Sequence, residues 1–135
     1  MNSIQVFNTK SSSRGDYKTL ISISIYLPNH HTDLLYDSAV CSTRSKRQEA
    51  TIRLIDHLND FPSFSMKDKD NYYSLVNGLG GVTGINLQIS EVPNLILNFS
   101  SRQQGHSKRI EAALRIVDHL NRFESIACIG KRFAR

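Results

Sequence analysis

The sequence predicts an α+β fold built on an internal duplication, with an antiparallel sheet carrying two long helices on one face. Residues 45–61 align without gaps on residues 107–123 and are identical at 11 of 17 positions, a self-similarity beyond chance. Ile21, Ile23, Ile25 and Leu27 alternate with Ser22, Ser24 and Tyr26, and Ile85, Leu87 and Ile89 repeat the alternation ahead of the second copy. Period two marks a strand with one buried face. With 135 residues the chain is long enough to form one domain with a real core. Two copies rule out a solenoid and leave a pseudo-twofold domain with units at about 18–61 and 84–123.

Taken in order, residues 4–7 read as a short strand, and residues 9–16, rich in Ser, Gly and charge, as a mobile loop. The strand ending at Leu27 runs into Pro28-Asn29, a turn signal, and then into a second apolar stretch, residues 34–41. The second unit repeats this with Pro93-Asn94 and residues 95–99, so each unit is expected to be strand, turn, strand, helix. The helices are offset by 62 residues, the alternating strands by 64 and the prolines by 65. Hairpin loops of unequal length are therefore expected, with His30-His31-Thr32 inserted. Residues 68–77 read as a linking helix ended by Gly78, residues 77–84 as a flexible Gly-rich turn, residues 126–129 as a last short strand and residues 130–135 as a basic tail.

The two long helices carry broad apolar arcs. Ala50, Thr51, Leu54, Leu58 and Phe61 form a stripe widened by Ile52 and Ile55; Ala112, Ala113, Ile116, Leu120 and Phe123 form its counterpart, widened by Ile110, Leu114 and Val117. An arc wider than one sheet contact needs a second partner, either the other helix or another subunit, and a homo-oligomer is expected.

The net charge of +5 sits entirely in the last quarter, where eight basic residues face three acidic ones; the first 100 residues are balanced. Such a localised field attracts nucleic acid or another anionic partner. The N-terminus lacks the pattern of a secretory signal, and no run approaches the roughly 20 apolar residues of a membrane span, so a cytoplasmic location without membrane contact is expected. In that compartment Cys41 and Cys128 read as reduced thiols.

The repeated Ser-Lys-Arg at both helix starts is the strongest chemical feature. Ser45 and Ser107 suit N-cap positions, where unpaired backbone N–H groups and the helix dipole favour an anion, and Lys46, Arg47, Lys108 and Arg109 add positive charge there. These six residues, with Arg102, Lys131 and Arg132, form the candidate phosphate or nucleic-acid site, and Arg135 adds to the field. Tyr72 and Tyr73, near Lys67 and Lys69, suit either base stacking or anchoring of the linker. Antiparallel strands before a basic helix start also resemble the double-stranded-RNA-binding domain, but two strands stand where that domain has three, and no family is assigned on it.

Catalysis is not expected. Asp56-His57 and Asp118-His119 are neighbours on helices and do not face each other; Glu49, Arg53 and His57, like Glu111, Arg115 and His119, are spaced for a polar ladder along one helix. His30-His31-Thr32-Asp33 lacks the companions of a metal site, and the Gly-rich stretch precedes a strand, unlike a phosphate loop. No metal or cofactor is expected. The chain reads as a non-enzymatic protein that binds a phosphate-bearing partner, above all nucleic acid, RNA included. The alternatives are a protein-interaction module (inhibitor, adaptor or assembly factor) using the wide apolar helix face, which exposure of Ile52 and Leu114 would favour, and a binder of a small nucleotide.

Overall fold

The computed structural model describes residues 19–66, 69–77 and 81–123. The expected loop at 9–16, the strands at 4–7 and 126–129, the tail at 130–135 and Cys128 lie outside them. In chain order the elements are β1 (Ile21–Pro28), α1 (Asn29–Cys41), α2 (Lys46–Asp60), α3 (Lys69–Asn77), β2 (Val82–Ile89), α4 (Glu91–Gln104) and α5 (Lys108–Arg122). The α+β class, the duplication and the antiparallel sheet under two long helices all hold. The repeat itself is strand, helix, helix: the second apolar stretches, expected as strands, are the helices α1 and α4.

The prolines account for that difference. Pro28 precedes the first residue of α1, and Pro93 lies in the first turn of α4, where the missing N–H has no intrahelical acceptor to lose. Asn29 therefore opens a helix instead of turning a hairpin. His31 and Thr32 are buried in the first turn of α1 and are no insertion. A constant offset of 62 relates α1 to α4 (starting at 29 and 91) and α2 to α5 (46 and 108).

Each unit contributes one strand to a two-stranded antiparallel ribbon in which Ile21 faces Ile89, Ser24 faces Asn86 and Pro28 faces Val82. Ser24 and Asn86 are themselves 62 residues apart, so the pseudo-dyad passes between them. The inward residues Ile23, Ile25, Leu27, Ile85, Leu87 and Ile89 are buried against the helices, α2 packing on β2 and α5 on β1. The second contact of each wide apolar arc is the other long helix, since α2 and α5 also pack on each other.

Beneath the ribbon, the two polar ladders cross the dyad. Arg53 Nε lies 3.3 Å from Glu49 on its own helix, while its Nη1 donates to His119 Nδ1 (3.0 Å) and to the Phe123 carbonyl (3.1 Å) at the far end of α5. Arg115 mirrors it, with Nε 2.9 Å from Glu111 and Nη1 donating to His57 Nδ1 (3.1 Å) and the Phe61 carbonyl (2.6 Å). Its Nη2 donates to Ser100 Oγ and the Pro62 carbonyl, so all five guanidinium donors are used. Each arginine thus places a cation at the carbonyl end of the other unit's long helix, where orphan C=O groups and the dipole favour it.

An arginine has no acceptor, so the facing Nδ1 of each histidine accepts and its Nε2–H points outward: His57 donates to Asp118 (2.9 Å) and His119 to Asp56 (2.7 Å). The Asp–His neighbours of the sequence do pair, but each aspartate serves the other unit's histidine. Burial is the main force that lowers the pKa of His57, and the Arg115 charge adds to it against the opposing pull of Asp118. Burial works against the Asp118 carboxylate, yet hydrogen bonds from His57 and Arg122 hold its carboxyl below the ordinary range.

The loops between paired helices share a backbone conformation but not the residue that adopts it. Gly105, with φ 75°, ends α4 in the left-handed conformation, and the equivalent residue of the first unit is Thr43, with φ 55°. A β-branched residue is strained there.

Three outcomes follow from this packing. Arg53→Ala and Arg115→Ala should each lower unfolding free energy by about 3–5 kcal/mol, as urea titration will measure, because each removes a buried cation and leaves Glu49 with Arg44 and Ser38 alone, or Glu111 with His106 and Ser100 alone. A histidine held neutral by burial contributes stability above its unfolded pKa of about 6.5 and loses it as pH falls toward the lowered folded value. Urea midpoints should therefore drop between pH 7.5 and pH 5, and the drop should shrink in His57→Gln. Thr43→Gly should raise stability by about 1 kcal/mol by relieving the positive φ, read as an increase in Tm.

Candidate nucleic-acid interface

Among the described residues, none covers the outer face of the ribbon. Alternation places Ser22, Ser24 and Tyr26 of β1 and Gly84, Asn86 and Gln88 of β2 on it, all exposed, in the cross-strand pairs Ser22–Gln88, Ser24–Asn86 and Tyr26–Gly84. Ser24 Oγ donates to Asn86 Oδ1 across the centre (3.4 Å). The Tyr26 ring lies against Gly84, where a Cβ would come within 3.3 Å of Cε1. The face therefore combines hydroxyl, carboxamide and phenol groups without a formal charge. Sequence reading saw these residues only as the polar half of an alternation. The available signal was the run of hydrogen-bonding residues at the outward positions Ser22, Ser24, Tyr26, Asn86 and Gln88, and only strand pairing unites them.

The helix starts flank this ribbon. Ser45 caps α2 by accepting from Gln48 N (3.1 Å), and Gln48 Oε1 accepts in return from Ser45 N (2.9 Å), a closed capping box. Ser107 caps α5 by accepting from Ile110 N (3.3 Å). Lys46, Arg47 and Arg109 are exposed, whereas Lys108 is half-buried and donates to Asn94 Oδ1 (2.7 Å). A shallow groove lined by Leu20, Arg44, Arg47, Gln48 and Gln88 joins the α2 start to the Gln88 end of the ribbon. α5 packs on β1 as α2 packs on β2, so the pseudo-dyad relates the two helix starts.

Other candidate residues fall elsewhere. Arg102 is exposed in the last turn of α4, where its charge complements the helix dipole, and Lys131 and Arg132 lie outside the described residues. Tyr72 is an anchor: it is buried and donates to the Tyr26 carbonyl (2.9 Å), and burial lifts its hydroxyl pKa to about 12. Tyr73 packs partly buried against the same core. Of the two residues whose exposure would favour a protein-interaction module, Leu114 is buried and Ile52 half-buried. Among the described residues no cluster of three potential metal ligands occurs, and no helix is long and apolar enough to cross a membrane.

The comparisons with known proteins follow the same division of the chain. No solved structure shows a significant match. The relaxosome protein TraY of Escherichia coli (strain K12) is 32% identical over 101 residues, covering 75% of this chain and 72% of that protein. The TraY domain matches twice, at residues 23–71 and 85–133, again 62 apart and each beginning within a ribbon strand. With both of its strand-helix-helix units matched, the chain belongs to the TraY domain family.

Proposed function

We propose that this chain is a non-enzymatic binding protein for double-stranded DNA, serving as a relaxosome component like the relative it resembles. The observation that carries the reading is the uncovered two-stranded ribbon with Ser22, Ser24, Tyr26, Asn86 and Gln88 on its outer face. The major groove of B-form DNA, about 12 Å wide, admits such a ribbon, and carboxamides match the donor and acceptor edge of adenine there. The α2 and α5 starts then rest on the flanking phosphates: Ser45 and Ser107 orient the first turns, while Lys46, Arg47, Lys108 and Arg109 supply charge. Arg102, Lys131 and Arg132 add to the attracting field.

A ribbon reader favours DNA over duplex RNA, because the A-form major groove is too deep and narrow for side chains to read. Binding of RNA, a small nucleotide or a protein through the long helices therefore ranks behind duplex DNA.

Fluorescence anisotropy with labelled DNA and RNA duplexes at several salt concentrations tests this. Affinity for DNA should fall steeply with salt, and replacing Lys46, Arg47, Lys108 and Arg109 with Ala should reduce the salt slope by about one unit for each phosphate no longer neutralised. Asn86→Ala and Gln88→Ala should instead cost about 1–3 kcal/mol on a preferred sequence and leave the slope intact. Equal affinity for duplex RNA, or salt-insensitive binding, would overturn the reading.

A further inference from the structure

We infer that copies of this chain associate head to tail, the exposed face of α1 in one copy docking antiparallel on the exposed face of α4 in the next. Four of the eight large apolar side chains exposed among the described residues lie on these two helices: Tyr36 and Val40 on α1, Leu95 and Phe99 on α4, each more than half exposed. Helical spacing joins them into stripes. On α1 the stripe runs through Asp33, Tyr36, Asp37 and Val40, and on α4 through Leu95, Phe99 and Arg102, all of them exposed. Contiguous apolar side chains rimmed by charge mark an interaction surface.

The pseudo-dyad exchanges the two helices, yet their stripes are unalike. At the shared offset of 62, Asp33 corresponds to Leu95, Asp37 to Phe99 and Val40 to Arg102. The α1 stripe therefore carries two carboxylates and no guanidinium or ammonium, and the α4 stripe a guanidinium beside two apolar groups. Among the described residues, none forms an ion pair with Asp33, Asp37 or Arg102.

Placed antiparallel, the stripes match in spacing. Asp33, Tyr36 and Val40 are separated by three and four residues, and so, in reverse order, are Arg102, Phe99 and Leu95. Asp33 then faces Arg102, Tyr36 faces Phe99 and Val40 faces Leu95, giving one charge pair and two apolar pairs. Asp37 adds to the negative field that Arg102 meets, and Glu91, one turn before Leu95, falls past the end of α1. Contacts between like faces fit less well. Two α1 stripes gather four aspartates and set Asp33 against Val40, while two α4 stripes set Arg102 against Leu95.

A contact between different faces does not stop at the dimer, because each pair of copies leaves one α1 face and one α4 face for further neighbours. Neither stripe contains a residue of the ribbon. The association is therefore independent of DNA binding and is tested on the protein alone.

Sedimentation velocity of the full chain, with reductant present so that Cys41 cannot link copies, covers about 10 μM to about 1 mM, the range suited to a small and hence weak interface. Species larger than a dimer should grow with concentration. Two variants separate the faces: Y36E/V40E blocks α1 and leaves α4, and L95E/F99E blocks α4 and leaves α1. All four positions are exposed, so both variants should keep the circular dichroism of the parent chain. Each alone should associate at least about tenfold more weakly, whereas an equimolar mixture should form a heterodimer and nothing larger. Self-association of either variant at parental strength, or a mixture that stays monomeric, overturns the inference. A parent chain that is monomeric throughout overturns it too and leaves the two stripes to a different protein.

The charge pair has a separate readout in variants that leave the apolar contacts in place. D33R should weaken association about tenfold by facing Arg102 of the next copy, and D33R/R102D should recover it. An unrecovered double variant overturns the antiparallel register.

Discussion

The rest of the structure depends on the pairing of one strand from each half of the chain. A single strand has no ladder partner of its own, and an isolated two-stranded ribbon is marginal in water. Here the ribbon is formed between units and stabilised by burial of its inner face, with Ile23, Ile25 and Leu27 from one half and Ile85, Leu87 and Ile89 from the other. Neither half can complete the core alone, because the strand of one packs under the long helix of the other. Recruitment of both strands into one ribbon also leaves its opposite face without a covering layer among the described residues.

The buried polar network acts on the same constraint from beneath. Burying two arginines and two glutamates is costly, and their mutual attraction offsets the cost only when geometry and remaining hydrogen bonds are complete. Arg115 meets this condition with all five donors engaged, three of them on acceptors of the first unit. Arg53 reaches across in the reverse direction to His119 and the Phe123 carbonyl. The chemistry is satisfied only when the halves dock in one register. That register centres Ser24 and Asn86 on the dyad, so the network in the core specifies what the surface presents.

The duplication, the two strands and the long helices were legible because their signals are local: repeat identity, period-two alternation and capping serines. The spacing of Glu49, Arg53 and His57 likewise announced a ladder. The identity of α1 and α4 was not legible. Their apolar residues are sparse, many of their positions stay exposed, and prolines at their starts imitate hairpin turns while being harmless in a first helical turn. Reading Pro28-Asn29 and Pro93-Asn94 as equivalent turns then produced unequal offsets, whereas the ladder shows a constant one.

By itself the sequence determined a doubled α+β chain, the basic helix starts and the polar ladders, all of which follow from residue type and spacing along one element. The tertiary structure alone decided that β1 pairs with β2, that each Asp–His contact runs between units, and that Ser22, Ser24, Tyr26, Asn86 and Gln88 form one surface. These are relations between residues about 60 positions apart, as in the Ser24–Asn86 pair. Local propensity is blind to such distances; only burial of the shared core and completion of its hydrogen bonds select the partner.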